Sequence, residues 1–349
     1  MTIGHVGYWA AVTMGLGCLV VVACLVAVRL RADHREHRAH TLRTPLRRIV
    51  LTLSAGEAEE VEDARRALLA LPDDERRLIE DDLYALIPKL RGEARELVRE
   101  VLRAWRPNEQ ARTSTTSASP VRRARGYYRL GALAMSDRRD EVLNGLHDRD
   151  FTARRTAMLA LANFPDPHVV DKMLVAAAAE PRLRQDFLSG VDQIGDLAAA
   201  VMAAHLQDPD SSEPGPEQRL AAEALGLVGG HRSRIALEAC LKEPDEELRI
   251  AALYSLGQLG NPISIAGIAS QLSDESSGVR RASVVAAGMI GGPASLLALE
   301  IGLDDEDLEV ARSAATALRR SGTRGRAALH KVDVPVAHEA LALAGLRPS

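Results

Sequence analysis

"LRIAALYSLGQLGNPIS", Leu248 to Ser264, returns thirty-one residues later as "VRRASVVAAGMIGGPAS", Val279 to Ser295. In the first copy apolar residues stand at 250, 253, 256 and 259, the spacing of one buried helix face. Gly260 then supplies a left-handed cap and Pro262 forbids continuation. Each phrase therefore encodes a short helix, its stop, and the first turn of a second helix.

With the second glycine of the phrase as anchor, equivalent positions fall at Ala134, Pro165, Gly195, Gly229, Gly260, Gly291 and Gly322, in steps of 31, 30, 34, 31, 31 and 31 residues. The long step takes up the polar insertion "DPDSSEPGPE" at 208–217, a loop in which extra residues cost little closure entropy. Eleven residues before the anchors stand Arg123, Arg154, Arg184, Gln218, Arg249, Arg280 and Ala311, with Arg219 and Arg312 one residue off in the two exceptions. Acidic connectors recur between the units, as "HDRD" at 147, "EPDEE" at 243, "SDESS" at 273 and "DDED" at 304. Two short helices of about 31 residues cannot bury their apolar faces alone, so neighbours must stack. The expectation is an all-α chain: a right-handed α-solenoid of about seven hairpins over 121–349.

An acid, Val/Leu-Arg, a run of alanines, Leu-Gly and then Gly-Asp/Asn-Pro resembles the short bacterial HEAT-like repeat, of the kind also found in phycobilisome lyases. The resemblance spans roughly 119–346 and is strongest at Arg249 to Pro262 and Arg280 to Pro293. It implies a protein-binding array more firmly than any chemistry. It further implies service to a membrane enzyme such as a glycosyltransferase, or to a transporter, and kinship with bilin lyases supplies an enzymatic alternative.

The N-terminus carries the second signal. Val6 to Val28 is a run of 23 uncharged residues, about 34 Å as a helix, which predicts a transmembrane helix at 6–28 after a short extracytoplasmic segment at 1–5. No Lys or Arg precedes the run, while Arg29, Arg31, Arg35, Arg38, Arg43, Arg47 and Arg48 follow it, so the positive-inside rule puts the repeats in the cytoplasm of a single-pass membrane protein. A cleaved signal peptide would place its basic cluster on the other side. "VVAC" at 21–24 has the look of a lipoprotein box, but arginines that resist translocation follow it. Residues 29–48 carry a net +5 and residues 49–349 a net −9. This basic juxtamembrane collar, Arg29, Arg31, Arg35 and Arg38 foremost, is expected to meet anionic headgroups, and the acidic array to avoid nucleic acid. Ala11, Gly15, Ala23 and Ala27 lie at four-residue multiples and offer a face for self-association, the basis of a reading as a structural membrane organiser.

Residues 41–105 read as helices that cap the open end of the array, and "RPNEQARTSTTSASP" at 106–120 as a linker. Catalytic signals are weak. His34, His37 and His40 do not converge on one helix face and sit among arginines; "GLG" at 15–17 has no strand before it; "DDED" lacks the spacing of a calcium loop. "VRRARGYYRL" at 121 fits a helix with core tyrosines and a charged outer face. Ten aromatics in 349 residues give no stacking platform, and Cys18, Cys24 and Cys240 build neither a disulfide framework nor a zinc site. The expectation is a non-enzyme without cofactor or metal, a membrane-tethered scaffold whose protein partner is itself membrane-associated.

Two sets of residues are singled out. The recurrent arginine and the acid four residues before it, Asp150 with Arg154, Glu180 with Arg184, Asp245 with Arg249 and Asp307 near Arg312, together with Arg280, are expected to form a ladder that fixes the register of stacking. In the second helices Ile265, Ile268, Leu272, Leu296, Leu299 and Leu303 should face the core. Ile263, Gly267, Leu297 and Ile301 should then floor an apolar concave strip, beside Ala266, Ala298 and Gly302.

Overall fold

The computed structural model describes residues 26, 29, 48–53, 58–105, 113–207 and 215–345. The chain divides into two compact units, Met1–Gln110 and Ala111–Ser349. Among the described residues every regular element is helical. Val26 and Arg29 are helical and exposed. The rest of the run at 6–28, the small-residue face at 11–27, and Arg31, Arg35 and Arg38 of the collar lie outside the described residues. Among the described residues no single helix is long and apolar enough to cross a membrane.

The first unit contains α1 (Ala58–Leu69), α2 (Asp73–Leu86) and α3 (Gly92–Ala104). On α3 Val98, Val101 and Leu102 are fully buried at i, i+3 and i+4, and they share the core of this unit with Leu68, Ile79 and Leu83. Trp105 closes it by donating from Nε1 to the Leu68 carbonyl at 3.2 Å.

Among its described residues the second unit has seven hairpins and a closing helix. Its first helices are α4 (Pro120–Leu133), α6 (Phe151–Leu161), α8 (Arg184–Ile194), α10 (Pro216–Val228), α12 (Glu246–Leu259), α14 (Ser277–Ile290) and α16 (Leu308–Arg320). The second helices are α5 (Arg139–Asn144), α7 (Pro167–Ala179), α9 (Asp196–Leu206), α11 (His231–Cys240), α13 (Ile265–Ser270), α15 (Pro293–Gly302) and α17 (Gly322–Leu329), and α18 (Pro335–Gly345) packs on the last hairpin. First helices lie against first helices in one layer, and second helices form the other, around one core that runs from Ala124 to Ala340.

The phrase that repeats is now explained by two glycines with different work. A Cβ on Gly257 would lie 2.9 Å from the Cα of Ala286 in the next first helix, so "Leu-Gly" marks the place where consecutive first helices touch backbone to side chain. The anchor three residues later turns the chain: Gly260 sits at φ 64° and Gly291 at φ 71°, conformations that disfavour a side chain. Ala134 occupies the same turn at φ 48°, where no glycine is available. Pro165 is the one anchor that does not use this turn; there Asp166 caps α7 by accepting from the His168 amide at 2.9 Å.

The arginines are caged between connectors. Arg280 donates to both oxygens of Asp305 at 2.8 and 3.0 Å, and its Nη1 donates to the carbonyls of Asp274 and Glu275 at 3.0 and 3.2 Å. Each such residue therefore ties the connector before its own helix to the connector that leads into the next hairpin. Arg123 with Asp148, Arg154 with Glu180 and Arg249 with Asp274 repeat the arrangement at 2.7, 2.7 and 3.0 Å, and Arg219 makes the forward half of it, with Asp245 at 2.7 Å. The pairing thus differs from the one expected four residues back. Asp150, Asp245 and Asp307 accept amide hydrogens of their own helix and act as N-caps, Asp245 serving Arg219 as well. Arg184 departs from the pattern and reaches Glu223 on α10. Arg312 pairs with Glu309 at 3.2 Å and with Glu339 at 3.6 Å.

Of the linker expected at 106–120, residues 113–120 are described, and they pack on the first hairpin. Thr115 is buried and donates to Glu141 at 2.7 Å, and the carbonyls of Ser117 and Ala118 accept from Arg123 at 2.9 and 3.1 Å.

Candidate functional site

Exposed large apolar side chains stand on both layers: Tyr128, Leu159, Leu227, Tyr254 and Met289 on first helices, and Ile235, Ile263, Leu297 and Ile301 on or just before second helices, the last three being the most exposed of these. Asn261 accepts from the Ile263 amide at 3.0 Å, and Pro262 opens the turn, which directs Ile263 away from the core at 70% exposure. On α15 the core side is complete: Leu299 is fully buried, Leu303 nearly so, and Leu296 packs against them. Leu297 and Ile301, one helical turn apart, are 64% and 63% exposed. Ile235 on α11 is exposed in the preceding rung.

Three small residues assigned to this floor lie elsewhere. Ala298 and Gly302 are buried, and a Cβ on Gly302 would press on Val284 of α14 at 2.8 Å. Gly267 is half-buried, with its open side 3.4 Å from Leu241 of the preceding hairpin. Small side chains here let helices approach each other, and the large ones stand out. Ala266 is exposed, as expected.

A second apolar stretch escaped the sequence reading. Leu197, Ala200, Val201 and Ala204 of α9, edged by Asp196, His205 and Arg232, line an open groove of about 1040 Å³. Its signal is in "DLAAAVMAAHL", which is apolar around the whole helix. One face suffices to bury Ala198 and Met202, so the other must present apolar atoms outward.

A cavity of about 710 Å³ lies beside α5 and α7, lined by Arg139, His147, Asp148, Arg154, His168 and Glu180 among others. Its carboxylates are already engaged. Arg123 bonds Asp148 and, against the opposing effect of burial, holds its pKa at about 2; Arg154 likewise lowers Glu180. Ionised, paired carboxylates of this kind are poor proton donors at neutral pH. Among the described residues no cluster of His, Cys, Asp and Glu has the arrangement to hold a metal ion.

Residues 234–319 match the family model of HEAT repeats, so the chain carries HEAT repeats over that segment. None of the curated proteins matches. Among solved structures, human deoxyhypusine hydroxylase in complex with glycerol is 20% identical, the alignment covering 81% of this chain and 97% of that one at a TM-score of 0.33. The complex of CpcE and CpcF of phycocyanin lyase from Nostoc sp. PCC7120 is 19% identical over 68% of this chain and 93% of that one, TM-score 0.32. Kap121p bound to Pho4p is 11% identical over 85% of this chain and 45% of that one, TM-score 0.36. Likenesses this distant carry no argument about what the chain does. They do correct the expectation of a non-enzyme: a hydroxylase and a lyase are among the similar chains, so a helical-repeat trace without a familiar catalytic motif does not exclude catalysis.

Proposed function

We propose that the repeat array is a protein-binding scaffold that receives an amphipathic helix of a partner protein along the outward face of its second helices. The observation that carries this reading is the exposure of Leu297 and Ile301 on α15, whose opposite face buries Leu299, and of Ile263 in the turn before α13, all at 60–70%. Large apolar side chains left in the open on neighbouring hairpins have a cost in water that a binding partner removes. A helix with apolar residues at i, i+3, i+4 and i+7 fits such a surface and extends toward the groove over α9. The uncharged run at 6–28, followed by its arginine collar, supports a tether that holds the array at the cytoplasmic side of a membrane, with the partner at that surface.

The experiment is the variant Leu297→Ser/Ile301→Ser. Both side chains are exposed, so the stability should stay within about 0.5 kcal/mol of wild type while partner capture is lost. A large loss of stability would show that the two residues are core, and unchanged capture would place the interface elsewhere.

A further inference from the structure

The last hairpin has a charge character opposite to the rest of the array. Between Glu309 and Asp333 there is no carboxylate, and the segment holds Arg312, Arg319, Arg320, Arg324, Arg326 and Lys331, a net +6; the remaining residues of 111–349 carry a net −10. Arg320, Arg324, Arg326 and Lys331 are exposed and Arg319 half-exposed. Among the described residues none of these five has a carboxylate partner, in contrast to the caged arginines of the earlier connectors.

Local stability does not account for all of them. Arg319 and Arg320 end α16, where a cation complements the helix dipole, but Arg324 stands in the first turn of α17, where a cation opposes it. The ground between the cations is small: Gly322 has open space around it, Gly325 is pressed on the Leu318 carbonyl, and Thr323 and Ala327 are exposed. Arg312 and Arg320 border an open recess of about 500 Å³ beside Glu309, while Arg324, Arg326 and Lys331 rise from this ground of small residues. The cations are spread over the end of α16, α17 and the turn after it and are not gathered round that one recess, and a plane of many equivalent, mobile anions can meet such a spread set together.

We propose that this basic edge, Arg319, Arg320, Arg324, Arg326 and Lys331, docks on an anionic lipid surface. It is separate from the apolar row of the second helices, and its test does not depend on that row.

The test reads the lipid contact of a polarity-sensitive fluorescent amino acid placed at 327 of the full chain in liposomes of phosphatidylcholine alone and of phosphatidylcholine mixed with phosphatidylglycerol. Wild type is compared with Arg320→Gln/Arg324→Gln/Arg326→Gln/Lys331→Gln; the run at 6–28 and the collar arginines are the same in both proteins and hold both at the liposome, so the signal reports the partition of the edge alone. One cation near an anionic bilayer is worth about fivefold in partition, so the four together should separate the two proteins by roughly several hundredfold on the mixed liposomes at low salt. The gap should be absent on phosphatidylcholine and should close at molar salt. Arg324→Lys/Arg326→Lys should partition like wild type, because a lipid plane reads charge and not guanidinium geometry. Should the fourfold variant fail to fold, Arg326→Gln/Lys331→Gln, at two exposed sites, should still lose about twentyfold. Equal partition of wild type and variant on the mixed liposomes overturns the proposal. So do a gap that persists on phosphatidylcholine, a loss in the Lys variant, and a gap abolished by millimolar inorganic phosphate, which would mark an oriented anion site.

Discussion

Replacing Arg280 by Ala should be among the most damaging single changes in the array. Its guanidinium is 10% exposed and its partner Asp305 8%, so removal strands a nearly buried carboxylate that keeps only the Asp307 amide at 2.8 Å. The carbonyls of Asp274 and Glu275 lose their donor at the same time. Breaking a fully buried pair costs about 3–5 kcal/mol and an exposed one about 0–1. This pair lies at the edge of the core, where water can enter after the change and the Asp305 pKa, held low chiefly by Arg280, can relax upward. We expect about 2–4 kcal/mol. Arg281→Ala, at an exposed neighbouring position, should stay within about 0.5 kcal/mol. The assay is urea unfolding followed by far-UV circular dichroism, with hydrogen exchange on peptides from α14 and α16, because a repeat array can open locally before it unfolds. Equal effects for Arg280→Ala and Arg281→Ala would refute the reasoning.

Two further outcomes follow from the same geometry. Asp148 has a folded pKa of about 2, below its ordinary value because Arg123 bonds it, so its contribution to stability is present above about pH 4 and is lost as pH falls through about 2. Arg123→Gln should return that carboxyl toward the ordinary range in an NMR titration and move acid unfolding to higher pH; an unmoved Asp148 would show that Arg123 is not the cause. Gly291 combines φ 71° with ψ −171°, a region essentially reserved for glycine, whereas Gly260 at φ 64° and ψ 19° is left-handed helical, so Gly291→Ala should lower stability by about 1–3 kcal/mol and Gly260→Asn by less. The reverse order in thermal melts would contradict the turn assignment.

What the sequence disclosed and what it hid divide along locality. The period, the hairpins and the left-handed anchors are local in the chain, because a helix, its glycine cap and the following proline lie within one phrase, as Leu248 to Ser264 shows. The partners of the arginines are not local. Arg154 reaches Glu180 and Arg280 reaches Asp305, 26 and 25 residues on, while the residues four upstream, Asp150 and Ser276, are occupied with capping. Only the stacking of hairpins brings the correct carboxylate into range. The apolar row was legible at Ile263, Leu297 and Ile301 because large side chains broke the polar pattern expected of an outer face. Gly267 and Gly302 were misplaced, since helix period gives a face and cannot say which small residues a neighbouring helix will cover. The groove over α9 was hidden by an excess of signal: a helix apolar all round offers no periodicity to read.

The central claim, that partners bind on the outward face of the second helices, is tested most directly by a photo-crosslinking amino acid placed singly at 297, at 301 and at 281 of the full chain in its native cells. Positions 297 and 301 lie on α15, and 281 lies on the exposed face of a first helix. The account predicts the same discrete protein adduct from 297 and 301 and none from 281; no adduct at the second-helix positions, or one of equal yield at 281, would contradict it.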